Sequence, residues 1–411
     1  MSIAPGCPTR LVRLGEIISE TSSERFFEDA SAGHVACTLA GPEAVRFRSY
    51  SRMDAPDFQP KSRKRFLAPL EYEAQAVRLY GVKDAVFFGS PGLFAADGAV
   101  VAESVAHWRP QAPGGLEEVI ADHETRMGRK LIGMDAPAER LEGGYLLAAS
   151  LYSRNYYHWT LELLAGAALL ARHGLLKGLK VLVDRRTPLV EASLGAFGID
   201  PSDIVILPAD RAVSVEQLVF TSCFLSETPR THPAVAAAVG RGKEAWPAAR
   251  EGGRRIFASR GSSTLRPLVN RAELEAAFAA EGFEVVDPGA LSFEDQVRLF
   301  DEAAVVVGEH GANLTNLVYC RPDTLALELF HPTEMGWGAL CFLALAETMG
   351  MMHRSLIGQA LERDAWTVDV AAVLDWATDA QRRRTEHLGR MKAWRAGAPA
   401  EDQSLALRRA P

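Results

Sequence analysis

The run Val305-Val306-Val307-Gly308-Glu309-His310-Gly311-Ala312-Asn313 has the residue types of an anion site. It reads as a buried strand that ends in a glycine-flanked turn and opens a helix. Backbone N–H groups at a helix start lack intrahelical partners, and the helix dipole favours negative charge there. Gly311 lets the backbone come close, and His310 can donate to a phosphate or leaving-group oxygen; a tight βα turn with a capping histidine has the same pattern. Ser259-Arg260-Gly261 follows a second strand, Arg255–Ala258, with Arg266 shortly beyond. Guanidinium forks pair phosphate oxygens bidentately. Solvated loop arginines are the alternative, and placing His310 on the same sheet edge favours phosphate. Glu328, near the end of a strand Thr324–Phe330, can bond ribose hydroxyls or lie on the surface. In Asn155-Tyr156-Tyr157-His158-Trp159-Thr160-Leu161-Glu162, His158 and Glu162 are four apart and share a helix face. Either can take a proton from an attacking hydroxyl. A salt-bridged helix face with aromatic packing is the commoner source of that pattern.

The elements that must position these residues follow from apolar periodicity. Tyr145–Tyr152 reads as a strand, Asn155–Ala171 as a helix stopped by Gly174, and Val181–Val183 and Ile204–Leu207 as short strands. The second block is more regular. After Arg255–Ala258, Asn270 and Glu273 open a helix that Gly282 closes. A strand Glu284–Val286, a helix Glu294–Ala303 behind Ser292, a strand Ala304–Val307 and an amphipathic stretch to Tyr319 lead to Thr324–Phe330. Strands alternating with helices imply parallel α/β layers, here two Rossmann-like domains in tandem, with ligands at the carboxyl ends of strands. The residues before about position 135 read as irregular and polar.

Composition narrows the function classes. The 411 residues are 48% hydrophobic and 24% charged, as in an ordinary globular protein, enough for two to three domains. Lys and Arg number 45 against 52 Asp and Glu, a formal charge of −7, which disfavours bulk nucleic-acid binding. The first twenty residues hold no apolar segment after a basic start, and the apolar run Gly338–Ala346 is too short for a bilayer span of about 20 residues. Five scattered cysteines form no CxxC pair, so neither a disulfide framework nor a zinc ribbon is expected, and the reading is cytoplasmic. No P-loop and no G-x-S-x-G elbow occur. Gly240-Arg241-Gly242 starts like a dinucleotide fingerprint, but it follows the helical run Pro233–Val239 rather than a strand.

Taken in order, Asn155…His158…Glu162, Ser259-Arg260 with Arg266 and Asn270, Leu291-Ser292-Phe293…Gln296, and Gly308…His310-Gly311-Ala312…Asn316 resemble glycosyltransferase family 61. The resemblance covers roughly residues 144–335. It implies an α/β GT-B-like fold, two Rossmann-like domains facing a cleft, and inverting, metal-independent sugar transfer. The divisions it suggests are an irregular region 1–135, an acceptor-side domain 136–248, a nucleotide-sugar domain 249–362 and a helical segment 363–411 that crosses back to the first domain. No D-x-D pair of the kind that holds a divalent ion in single-domain sugar transferases occurs. The resemblance assigns Glu162, with His158 as second choice, as the general base. Arg260, Arg266 and the His310–Ala312 helix start hold the diphosphate, with Ser259, Asn270, Gly308, Glu309, Gly311, Asn316 and the ribose candidate Glu328 around the donor. Asn155, Tyr157 and Trp159 line the acceptor side. No cofactor or metal is implied beyond a nucleotide-sugar co-substrate, UDP first.

Members from bacteria that assemble surface polysaccharide are the nearer resemblance, with a glycan or lipid-linked glycan as acceptor. Lys61-Ser62-Arg63-Lys64-Arg65 and Arg382-Arg383-Arg384, with Lys392, Trp394 and Arg395, suit contact with anionic lipid at the inner membrane face, although solvated surface charge is commoner. Rival readings are a sugar-nucleotide epimerase or hydrolase of the same fold, and a scaffold that binds nucleotide without catalysis.

Overall fold

The computed structural model describes residues 8, 10–46, 52–54, 71–105, 115–132, 139–225, 232–248, 253–261, 265–332, 341–362 and 364–395. The chain forms two compact α/β units, Met1–Pro42 with Gln75–Glu227, and Glu43–Ala74 with Thr228–Pro411.

The first unit is built on a ten-stranded mixed sheet. Its parallel part contains Glu139–Ala148, Leu179–Val183, Ile204–Ile206 and Ala212–Thr221, with Glu139–Ala148 paired to both Leu179–Val183 and Ala212–Thr221. Val181–Val183 and the last four residues of Glu139–Ala148 and of Ala212–Thr221 are buried, as central strands covered on both faces are. Ala212–Thr221 also pairs antiparallel with Val77–Phe88, which pairs in turn with Val35–Ala40 and Phe94–Ala96. The stretch before residue 135 is therefore not an irregular region. Six of its strands complete this sheet, and Val82, Phe87, Phe94 and Val101 pack with Leu147, Leu182 and Phe220 in one core. Its strands carry no βα rhythm, and their partners lie far away in the chain.

The second unit holds a six-stranded, all-parallel sheet in the order Glu284–Val286, Arg254–Ala258, Ala303–Glu309, Leu325–Phe330, Met352–Ile357, Arg52–Asp54. The edge strand Arg52–Asp54 comes from the N-terminal part of the chain, so the first expected segment serves both units. The expected C-terminal segment is not separate either. Helix Val370–Arg395 buries Val373, Trp376, Ala377 and Ala380 against Phe257, Val305 and Leu325 in the second unit's own core. Helices Arg271–Ala280 and Phe293–Asp301 form where expected, the second capped by Ser292 Oγ accepting from Asp295 N.

Among the described residues no helix is long and apolar enough to cross a membrane. Cys37, Cys223, Cys320 and Cys341 are buried free thiols. Arg382 and Arg383 pair with Asp379, and Arg384 bonds the Asp323 carbonyl, so these arginines are spent on local contacts. Lys61–Arg65 and the side chains of Lys392, Trp394 and Arg395 lie outside the described residues.

Candidate active site

In the second unit the strand order reverses beside Arg254–Ala258. The chain leaves this strand through helix Arg271–Ala280 to Glu284–Val286 on one side. It then returns through helix Phe293–Asp301 to Ala303–Glu309 on the other. Where consecutive connections part in this way, a crevice opens at the carboxyl ends of the strands. The residues that follow those two ends are Ser259–Gly261 and His310–Ala312, and they meet. Asn313 Nδ2 donates to the Ser259 carbonyl at 2.8 Å, and the Arg260 guanidinium reaches the His310 carbonyl at 3.5 Å. A Cβ on Gly311 would stand 3.3 Å from Arg260 Nε, so glycine there leaves room for the guanidinium. Gly308 serves the strands instead, since its Cβ would sit 3.1 Å from the Ala258 carbonyl oxygen.

Three arginines crowd this crevice. Burial pushes the Arg260 guanidinium below the ordinary arginine value; Glu309 opposes the shift and the charge of Arg271 adds to it. Arg266 is depressed for the same reason, with the charge of Arg260 next. Arg266 also sits at φ 53°, a left-handed conformation that non-glycine residues seldom adopt and that concentrates at functional sites. Its carbonyl accepts from Trp366 Nε1 at 3.0 Å, which holds the strained turn. Arg271, which sequence reasoning passed over, makes a two-pronged pair with Glu309 at 2.6 and 3.1 Å and donates to the Gly261 carbonyl at 2.8 Å. It thereby fixes the turn that carries Arg260.

Several expected donor contacts have other partners. Glu309 is buried and committed to Arg271, so it neutralises an arginine rather than meeting a ligand. Glu328 is 1% exposed and bonded on one oxygen to His310 Nδ1 and on the other, at 2.8 Å, to His353 Nε2, which removes it from the reach of a ribose. Asn270 ties its helix to Thr367 and Val368 instead of facing a ligand, and it makes no side-chain cap. Asn316 is buried and donates to Gln296 at 3.0 Å, which links two of the motif blocks internally. Ser259 Oγ donates to Glu275 at 2.6 Å and accepts from Gly261 N. The segment Ala312–Tyr319 is a 3-10 helix rather than an α-helix, and the His310 N–H is spent on the Leu329 carbonyl at 2.8 Å. The arginine cluster, the Gly311–Ala312 turn and the His310 ring stand together at these strand ends. That ring stacks on Phe330 at 4.7 Å.

In the first unit Glu139–Ala148 lies between Ala212–Thr221 and Leu179–Val183, a second order reversal. Asn155 Oδ1 accepts from Tyr157 N at 2.9 Å and starts a helix that passes through a π-helical turn, Trp159–Leu163, before continuing as Leu164–Arg172. Inserted π turns recur at functional sites. This one carries Glu162, whose Oε1 lies 2.8 Å from His158 Nδ1, a close contact that is not aligned as a hydrogen bond. Burial raises the Glu162 carboxyl above its ordinary value, and His158 only partly opposes this. Burial, with a smaller push from the Glu162 carboxylate, raises the Cys223 thiol to about 12 and leaves it inert. His158 is flanked by the rings of Tyr152 at 5.2 Å and Tyr157 at 5.6 Å. Trp159 is not on an acceptor surface: it is 1% exposed and donates Nε1–H to Ser193 at 3.1 Å. Among the described residues no group of three or more His, Cys, Asp or Glu side chains is placed to hold a metal ion.

The second unit thus gathers arginines at one strand-order reversal, and the first carries a raised carboxyl beside another. Comparison with known proteins adds a family match. Residues 156–327 match the model of the family described as Glycosyltransferase 61. The chain is also 49% identical over 39 residues to a beta-1,2-xylosyltransferase, RCN11, of Oryza sativa subsp. japonica. That stretch is 10% of this chain and 7% of the rice protein. His158, Glu162, Arg260, Arg266, Arg271 and His310 lie inside the matched segment; Asn155 and Glu328 fall one residue outside it.

Proposed function

We propose that the protein is a metal-independent, inverting glycosyltransferase of the family 61 type, moving a sugar from a nucleotide diphosphate to a hydroxyl. The observation that carries the reading is the arginine cluster. Burial lowers the proton affinity of both Arg260 and Arg266, the charge of Arg271 adds to this at Arg260 and that of Arg260 at Arg266, and Glu309 beside them is paired with Arg271. A diphosphate suits a group of guanidiniums gathered at the strand ends, and positive side chains can stabilise the departing diphosphate without a metal ion. Glu162, raised by burial, is suited to take the acceptor's proton in one displacement step, which inverts the sugar carbon. Two α/β units in one chain support the GT-B reading. The rice relative's name supports a pentosyl donor, and the resemblance to bacterial members supports surface glycoconjugate synthesis in the cytoplasm, on a glycan or lipid-linked glycan.

Calorimetric titration with UDP, GDP, CMP and dTDP, in EDTA and in Mn²⁺, tests it. One nucleotide binds in EDTA, and Arg260→Ala weakens it about 10–100-fold, the worth of a charge-assisted hydrogen bond. Binding of none of them overturns the donor site, and binding only with Mn²⁺ overturns metal independence.

A further inference from the structure

Arg266 stands at φ 53°, and Pro267 follows it. A residue before proline is pushed toward extended backbone, so this left-handed turn is disfavoured twice. Such a conformation persists only where its surroundings over-determine it. Here they include an antiparallel pair of short strands, Gln359–Ala360 and Trp366–Thr367, that lies beyond the matched family segment. Trp366 is bonded along the whole turn. Its indole Nε1–H donates to the Arg266 carbonyl at 3.0 Å and its backbone N–H to the Pro267 carbonyl at 3.1 Å. Its own carbonyl accepts from Val269 N at 2.9 Å. Only the first of these bonds comes from a side chain. We propose that Trp366 is a positioning residue of the donor site: its indole N–H fixes the left-handed turn at Arg266, and so the direction from which that guanidinium meets the diphosphate.

The strand pair is itself seated on the edge of the sheet that carries the site. Gly358 N donates to the Phe330 carbonyl at 3.0 Å, and His331 Nε2 lies 3.1 Å from the Asp364 carbonyl. Phe330 is the residue on which the His310 ring stacks. A Cβ on Gly358 would stand 2.5 Å from the indole Cε3 and 2.7 Å from the Thr367 carbonyl oxygen, so glycine there makes room for the ring. At the far end of the turn Asn270 Oδ1 accepts from Thr367 Oγ1 at 2.9 Å, and Asn270 Nδ2 donates to the Val368 carbonyl at 2.8 Å. The turn is thus tied at both ends, and the indole bond is the tie at Arg266 itself. A guanidinium pairs phosphate oxygens through a planar fork, so its worth depends on its direction of approach. Arg266 also feels the charge of Arg260, and a loose turn would let the two cations move apart. Trp366 is 2% exposed and packs with Leu268 in the second unit's core, and a purely structural role would end there.

The inference rests on the diphosphate reading for its purpose but not for its first test. Trp366→Phe keeps a buried aromatic ring and removes the N–H. Amide hydrogen exchange on the full chain, without ligand, reads the turn directly. The two amides that close it, Val269 and Trp366 (now Phe), are expected to exchange about tenfold faster in the variant, while strand Leu325–Phe330 keeps its wild-type rates. Unchanged rates at these two amides, or a rise shared equally by that strand, overturn the positioning role. If Trp366→Phe does not fold, Gly358→Ala crowds the same ring and makes the same comparison, with the same outcomes. UDP titration adds the functional arm. Trp366→Phe is expected to weaken UDP about fivefold, the fold-change that one hydrogen bond is worth. Arg266→Ala/Trp366→Phe is expected to bind no worse than Arg266→Ala. A further loss in the double variant, or undiminished affinity in Trp366→Phe, overturns action through Arg266. If the wild type binds no nucleotide, the transferase reading falls while hydrogen exchange still decides whether Trp366 holds the turn.

Discussion

Glu162 is a carboxyl held largely out of water, with His158 beside it. Its raised value has two consequences of opposite sign. As a general base it acts only when ionised, so the transfer rate climbs with pH through a range above that of an ordinary glutamate. As a structural group it costs stability, because the native state holds the proton more tightly than the unfolded chain does. That cost is absent below the unfolded value of about 4.5, grows as pH rises, and is complete above the folded value. Glu162→Gln is therefore expected to lose at least 100-fold in transfer, within the usual worth of a general base of about 10²–10⁴. It keeps its nucleotide affinity and melts higher than the wild type at pH 8, with the gap closing toward pH 4. Each kcal/mol regained appears as roughly 2–4 °C for a unit of this size. Scanning calorimetry at both pH values, with a donor-binding titration, checks it; a lower melting temperature at pH 8 would sink the buried-base account. Sequence spacing made His158 and Glu162 visible as one helix face. It could not show that Glu309 and Glu328 are consumed by Arg271 and by two histidines, because those partners come from other strands and helices.

Elements decide whether such side chains arrive in place. The βα rhythm from Arg254 onward was readable because each parallel strand is followed at once by the helix that covers it, and the strand-order reversal lies within one short run of sequence. The first unit hid its N-terminal half for the converse reason. Val77–Phe88 pairs with Ala212–Thr221, more than a hundred residues away, and no local pattern records that pairing. Turn type was equally hidden. The π turn at Trp159–Leu163 and the 3-10 course of Ala312–Tyr319 have apolar spacing that also suits an α-helix. Asn155 is the device that fixes where the π-containing helix begins. Asn155→Ala removes an N-cap and is expected to cost about 1 kcal/mol of stability. Because the same cap sets the first turn under His158, transfer activity should fall more than that loss of folded protein explains. Denaturant unfolding beside steady-state rates, each corrected for folded fraction, separates the two. Equal proportional losses would reduce Asn155 to a purely structural cap.

At the scale of the molecule the chain is not two domains laid end to end. It passes between the units three times, after Pro42, after Ala74 and after Glu227. The excursion Glu43–Ala74 gives the second unit its edge strand, Arg52–Asp54, in register with Arg354–Leu356. It also supplies the antiparallel pair Glu43–Arg46 and Glu71–Ala74, whose Val45, Tyr72 and Ala74 pack on Ala344. A fragment of residues 228–411 contains every motif at the donor-side strand ends, yet it lacks these pieces. Its last parallel strand, Met352–Ile357, would be left with an open edge, and an unpaired edge is a template for aggregation. The buried face of Ala344 would lose its cover at the same time. The fragment is therefore expected to be poorly soluble, or to melt well below the intact chain. Joining residues 43–74 to its C-terminus through a flexible linker should restore a cooperative transition and nucleotide binding together. Thermal unfolding followed by circular dichroism, with UDP titration of both fragments, makes the comparison. A soluble 228–411 fragment that melts like the intact chain would mean that the excursion decorates the second unit rather than completing it.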